Sequence, residues 1–391
     1  MKKKTLEECF YQIRNGANIK QGVLDGGYPI TRIETTSDGR FNRNKMGYAG
    51  IIDLSKYESY VLEDGDLLMS HINSIQYLGR TVLYKKKDAE EKIIHGMNLL
   101  SLKANKDVIK PEYARYYFCS SSFKKQITRI AKKSVNQASF TVADLKKLVV
   151  DVPSLSEQMK IAEILDCVNE VIFTRRQELQ KLDDLVKARF VEMFGDTVLN
   201  PCGWEKELLG TICDVRDGTH DSPQYFDIGF PLVTSKNVTG GIIDLTDCSL
   251  ICEKDYKKIN ERSKVDMGDI IMPMIGTVGK PVIVDIEPNF AIKNVSLIKF
   301  KSDSRVLNIY IRALLQSDYF DDAVLSKVRG GTQKFISLGD IRKLEILVPP
   351  LELQEQFATF VEQVDKSKAA VQKSLDKLQI LFDKLMQEYF G

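Results

Sequence analysis

Several short stretches of this chain carry residue types that do chemistry elsewhere, and each fails on spacing or company. Gly276-Thr277-Val278-Gly279-Lys280 looks like a phosphate-cradling loop. A P-loop, however, needs a four-residue spacer and a Ser or Thr after its lysine for magnesium, and here Pro281 follows. His220 stands beside Asp217 and Asp221, a set suited to acid–base work, but no nucleophile in a suitable context accompanies it. Cys202, Cys213, Cys248 and Cys252 match no common zinc spacing, and three histidines in all (His71, His95, His220) make a histidine-rich metal centre hard to build. Seven scattered cysteines, an odd number, suit reduced thiols. Asn200-Pro201-Cys202-Gly203 is not the Asn-Pro-Pro-aromatic segment that holds a flipped adenine, and no Gly-rich cofactor loop follows a strand. The expectation is a chain with no catalytic residues, no metal and no cofactor of its own.

Bulk properties narrow the class further. The 391 residues suffice for two or three domains, and 43% apolar with 28% charged residues is ordinary for a globular protein. Met1-Lys2-Lys3-Lys4 leads into Thr5-Leu6-Glu7-Glu8-Cys9 rather than an apolar signal region, and no stretch approaches the ~20 apolar residues of a membrane span. A cytoplasmic protein without membrane contact is expected. The net charge of +2 hides an asymmetry: residues 1–150 hold 26 basic against 16 acidic residues, whereas 201–350 hold 19 against 21. The first segment suits a polyanion partner; the second needs a locally basic face to do likewise.

What must position any functional loops is an internal repeat. Gln137, Asp144 and Lys147-Leu148 recur at an offset of 196 as Gln333, Asp340 and Lys343-Leu344. The same offset runs without a gap through Val152-Pro153 and Val348-Pro349, Gln158 and Gln354, Val168 and Val364, and Phe194-Gly195 and Phe390-Gly391, about sixty positions in all. Upstream the match is looser: Gly65-Asp66-Leu67-Leu68-Met69 answers Gly268-Asp269-Ile270-Ile271-Met272, and Asn98 answers Asn294. Each Gly-Asp reads as a turn into an apolar strand. Boundaries are expected at 1–152 for a first globular domain, 153–196 for a helix, 197–348 for a second domain and 349–391 for a second helix.

Both helical segments show an a/d seam. Ile161, Leu165, Val168, Ile172, Leu179, Leu182, Val186 and Met193 in the first, with Arg175 and Arg189 as polar intrusions, and Phe357, Val361, Val364, Val371, Leu375, Leu378, Phe382, Leu385 and Tyr389 in the second, with Lys368 intruding, fall on alternating steps of three and four over about five heptads. Each helix, at 1.5 Å per residue, is about 57 Å long and asks for a partner. A dimerisation stalk is one solution. Antiparallel pairing within the chain is the other, and it relates two heads by an approximate two-fold axis, as a DNA duplex relates its strands. The expected fold is therefore two mixed α/β (α+β) domains in pseudo-two-fold arrangement, separated by two long antiparallel coiled-coil helices.

Across essentially the whole chain these features resemble the specificity subunits of type I restriction-modification enzymes. The marks are Val348-Pro349-Pro350-Leu351-Glu352-Leu353-Gln354, its weaker copy Val152-Pro153-Ser154-Leu155-Ser156-Glu157-Gln158, Asp217-Gly218-Thr219-His220, and Asn200-Pro201-Cys202-Gly203-Trp204. Arg14-Asn15-Gly16-Ala17 stands roughly where the second domain has Asp217-Gly218-Thr219-His220, a departure from the pattern. The resemblance implies a non-catalytic subunit with two target-recognition domains on double-stranded DNA. It also implies modification methyltransferase subunits, two of them, that bind S-adenosylmethionine, and an ATP-dependent restriction endonuclease and translocase subunit.

DNA readers need loop donors and acceptors for base edges and cations for phosphates. In the first domain the candidates are Arg32, Glu34, Ser70, His71, Asn73, Arg80, Lys132, Lys133, Asn136 and Gln137. In the second they are Thr219, His220, Ser235, Lys236, Asn237, Thr277, Lys280, Arg329, Thr332, Gln333 and Lys334. Two rivals are a self-contained DNA methyltransferase or nuclease, which the missing motifs oppose, and a coiled-coil scaffold that binds only protein.

Overall fold

A computed structural model describes residues 2–20, 26–135, 137–274, 280–323 and 335–391. The chain divides into two compact units: Met1–Arg176 with Ser374–Gly391, and Gln177–Lys373. Those limits differ from the expected domain boundaries because each long helix is shared between units. The reason is where the helix ends find their apolar partners.

Both globular heads repeat one sheet. In the first unit four antiparallel strands lie in the order Phe10–Asn15, Leu99–Ala104, Leu67–Ser70, Thr81–Leu83. The second unit has Asp214–Asp217, Val295–Lys299, Ile270–Pro273, Val282–Ile283 in the same order and sense. The Gly-Asp turns do what their sequence suggests. Gly65 and Gly268 take φ of +92° and +85°, a region that favours glycine. Asp66 and Asp269 then close the turns by accepting from the backbone N–H of Glu63 (2.9 Å) and Asp266 (2.8 Å). The strands that follow are buried along their whole length, as central strands covered on both faces must be. A further strand pair closes each head: Lys2–Thr5 with Val149–Val152, and Glu205–Leu208 with Glu345–Val348.

The long helices span Leu155–Phe194 and Leu351–Phe390. Ser154 starts the first one, accepting from the Glu157 N–H while the Glu157 carboxylate accepts from the Ser154 N–H at 2.9 Å. In the first unit Ile161 and Leu165 share a core with Phe390, and Phe382, Leu385 and Tyr389 pack against it. In the second unit Phe190 and Phe194 share a core with Phe357 and Val361. The start of one helix thus meets the end of the other in each unit, which makes the pair antiparallel. Along the seam Ile161, Leu165, Phe357, Val361, Val364 and Leu375 are buried, and Val168, Leu179, Leu182 and Leu378 half-buried. Lys368, a charge in the seam, is matched by Asp183 at 2.6 Å. No helix among the described residues is long and apolar enough to cross a membrane.

Candidate nucleic-acid interface

The surface of each head depends first on how the head is fixed to its helix. Gln158 and Gln354 are fully buried and make the same three bonds. The Gln158 Oε1 accepts from the Lys110 N–H at 2.8 Å, and its Nε2 donates to the carbonyls of Val108 and Pro153, both at 3.0 Å. Gln354 accepts from the Leu307 N–H at 2.8 Å and donates to Arg305 O (3.0 Å) and Pro349 O (2.8 Å). A buried amide with its oxygen and both N–H bonds engaged is a rigid clamp between head and helix. Beside it, Tyr113 and Tyr310 donate to the carbonyls of Asp151 (3.0 Å) and Leu347 (2.9 Å), and their rings pack at an angle against Phe390 and Phe194 respectively.

In the first head the structure brings two of the sequence-identified stretches together. Lys132–Lys133 pairs with Ala138–Ser139, which pairs in turn with Ile72–Asn73, forming one small sheet. Lys132, Lys133 and Gln137 are exposed on it. Asn73 is half-buried, donating to Ser70 Oγ at 3.2 Å and accepting from the Ser74 N–H at 2.8 Å. Two candidates need correction: Ser70 is fully buried and His71 nearly so, so their side chains are inside the head rather than on a reading surface. Burial lowers the pKa of His71, and it pushes that of His95 down to about 4. Arg80 stacks over Tyr77 at 4.3 Å and donates to the Ser37 carbonyl, which ties it to the loop after Arg32 and Glu34. Those two form an exposed ion pair at 3.7 Å.

In the second head the Asp217-Gly218-Thr219-His220 segment is a built corner. Gly218 passes so close to the neighbouring strand that a Cβ would lie 2.4 Å from the Ile292 carbonyl oxygen. Gly16 meets Gly96 and His95 in the same way, so the first head aligns with the second on Gly16 and Gly218. His220 stands between the carbonyl oxygen of the Asn294 side chain (2.8 Å from Nδ1) and the Asp217 carboxylate (2.9 Å from Nε2). Acceptors on both nitrogens favour the imidazolium, and the bonds to Asn294 and then Asp217 raise its pKa. Arg262 pairs with the other Asp217 oxygen. Both His220 nitrogens are therefore engaged within the protein, and the ring shapes the Thr219 corner. An open cleft beside it is lined by Thr219, Ser222, Asp255, Lys258 and Arg262.

Asn237 also needs correction. It is buried and its side-chain oxygen accepts from the Thr234 N–H and Oγ at 3.0 and 2.9 Å, so it builds a turn that displays Lys236 to solvent and leaves Ser235 half-buried. Lys280 is exposed. Asn136, Thr277, Arg329, Thr332, Gln333 and Lys334 lie outside the described residues. Asn200-Pro201-Cys202-Gly203-Trp204 is a turn sealing the helix end: Asn200 exchanges two bonds with the Trp204 backbone at 2.8 and 2.9 Å, and the indole N–H donates to Phe194 O at 3.1 Å. Among the described residues, no group of three or more His, Cys, Asp or Glu could hold a metal ion.

Sequence reasoning overlooked Asn294 and Arg262 as parts of the His220 corner. Asn294 had a signal, since it repeats Asn98; in the structure it takes a φ of +55°, which Asn tolerates better than most residues. Arg262 had none, because its partner is 45 residues away in the chain.

The family described as "Type I restriction modification DNA specificity domain" matches this chain twice, over residues 1–183 and 201–379. The chain belongs to that family. The MjaX type I restriction enzyme specificity subunit of Methanocaldococcus jannaschii is 30% identical over 96% of this chain and 91% of its own length. The fold is shared with the S subunit of a type I restriction-modification system from M. genitalium, at a TM-score of 0.58 and 16% identity, over 100% of this chain and 96% of that one. It is also shared with a chain solved to explain complex assembly and conformational transition in a type I system, at a TM-score of 0.50 and 18% identity, over 100% and 97% of the two chains. This protein is accordingly a type I specificity subunit with two recognition domains, the non-catalytic component of such systems.

Proposed function

We propose that each head reads one half of a bipartite, asymmetric site in double-stranded DNA. The paired helices set the gap between the half-sites and dock two modification methyltransferase subunits, and the assembly also takes a restriction endonuclease and translocase subunit. S-adenosylmethionine and ATP then belong to those partners, and the complex works in the cytoplasm. One observation carries this reading: sheet order and glutamine clamp are the same in both units, while the surface loops differ. Identical scaffolds with unlike loops suit one repeated protein contact and two different DNA words. Salt-dependent phosphate contacts would position each head, and loop side chains would choose bases.

The test is a head exchange. Residues 1–150 are replaced by the equivalent domain of another specificity subunit, and methylated adenines are mapped across the genome with and without the chimaera. One half of the methylated sequence is expected to change. A change in both halves, or in neither, would overturn the proposal.

A further inference from the structure

The two heads differ at one matched position in a way that points to a ligand. On the strands Phe10–Asn15 and Asp214–Asp217, Gln12 lies opposite Lys103 and Asp214 opposite Lys299, so Gln12 and Asp214 are equivalent, and so are Arg14 and Arg216 two residues on. The lysines are treated alike: Lys103 is held by Glu63 (3.0 Å) and Asp66 (3.2 Å), and Lys299 by Asp266 (2.8 Å) and Asp269 (2.6 Å). The arginines are not. Arg216 donates to Asp214 from Nε (2.9 Å) and Nη2 (2.6 Å), and from Nη1 to the Arg262 carbonyl at 2.8 Å.

In the first head Gln12 replaces that aspartate. Among the described residues no carboxylate pairs with Arg14, and its Nε is buried without a hydrogen-bond partner. Gln12 Nε2, His71 Nδ1 and His95 Nδ1 are buried and unpartnered as well. Arg14 and His71 both lie near enough to His95 to act on it electrostatically, and the two imidazoles are more than nine-tenths buried. The Tyr60 ring supports the guanidinium from one face, 4.5 Å from Cζ. A half-buried cation without its counter-charge, beside a Gln12 amide N–H group that also lacks an acceptor, asks for an oxyanion with several lone pairs.

We propose that Arg14, flanked by Gln12, takes a phosphodiester group of the DNA backbone in the first head, at a position that the second head has closed with its own Asp214. The inference rests on the reading of the heads as DNA-binding. His71, which acts on His95 as Arg14 does, adjoins the small sheet that carries Lys132 and Lys133. The His71 carbonyl accepts from the Phe140 N–H at 3.3 Å, directly after the strand that joins Lys132–Lys133 to Ile72–Asn73. Arginine suits the role because its planar fork matches phosphate oxygens in pairs. Such a contact positions the head without choosing a base.

The test uses the full chain assembled with methyltransferase subunits and a duplex carrying its mapped site, with affinity measured across a series of salt concentrations. Arg14→Gln is expected to reduce the magnitude of the slope of log K against log salt by about one, equally for specific and non-specific duplexes. Gln12→Asp copies the second head, keeps Arg14 in place and is expected to do the same. A partly unfolded variant lowers the active fraction but leaves the slope alone, so the slope separates the two effects. Sequence-selective wild-type binding with an unchanged slope in both variants overturns the site and leaves the proposed function standing. A wild-type complex with no sequence selectivity overturns both. Protection of the wild-type chain, but not Arg14→Gln, by inorganic phosphate against thermal unfolding, with the DNA slope unchanged, marks a free-anion site and also overturns the DNA contact.

Discussion

At the scale of single residues, the glutamine clamps make the firmest energetic claim. Gln354→Ala removes an acceptor from the Leu307 N–H and donors from the Arg305 and Pro349 carbonyls, groups it bonds at an interior junction. Each unmet buried partner costs about 1–3 kcal/mol, so a loss of roughly 2–4 kcal/mol is expected in chemical denaturation, against near-neutral change for alanine at exposed Gln180. A loss below about 1 kcal/mol would show that the clamp is not rigid. His220 makes a different claim. Its pKa is raised above 6.5 by Asn294 and Asp217, so its contribution to the corner is present in full below about pH 6.5 and fades as pH rises through the raised value. Titration of the imidazole by NMR should place its pKa above the ordinary histidine range, and Asn294→Ala should return it towards 6.5. An unshifted pKa in the parent chain would remove both bonds from the account.

At the scale of elements, each long helix leaves one head and ends in the core of the other unit. Phe194 closes the helix that grows from the first head, yet it packs among Phe190, Tyr310 and Phe357 in the second unit. Phe194→Ala removes a buried aromatic ring, a change that costs about 3–5 kcal/mol. Hydrogen exchange should therefore accelerate around the strands of the second head, such as Ile270–Pro273 and Val295–Lys299, while Leu67–Ser70 and Leu99–Ala104 keep their protection. Loss of protection confined to the first head would contradict this assignment of cores. The a/d pattern was legible in the chain because apolar periodicity survives without knowledge of the partner. Which turn of one helix meets which turn of the other was not, since many registers satisfy a repeat of seven. The match of Lys368 with Asp183 belongs to the register that the fold adopts.

At the scale of the whole molecule, the proposed spacing role predicts a length effect. A heptad inserted at matching places in both long helices keeps the seam in phase and adds about 10.5 Å, or about three base pairs. The methylated site should keep both half-sites and gain about three base pairs between them, as adenine mapping would reveal. An unchanged gap would mean that the helices do not set it. The duplication, the a/d seams, the Gly-Asp turns and the absence of familiar catalytic spacings could all be read from the chain, because each is a local pattern or a comparison of the chain with itself. Tertiary structure alone decided that Ser70, His71 and Asn237 are scaffold, that His220 is held by Asn294 and Asp217, and that Arg14 lacks the carboxylate its counterpart has. The reason is physical. Burial and pairing depend on what distant strands bring alongside a residue, and a sequence lists neighbours along the chain but not across the sheet.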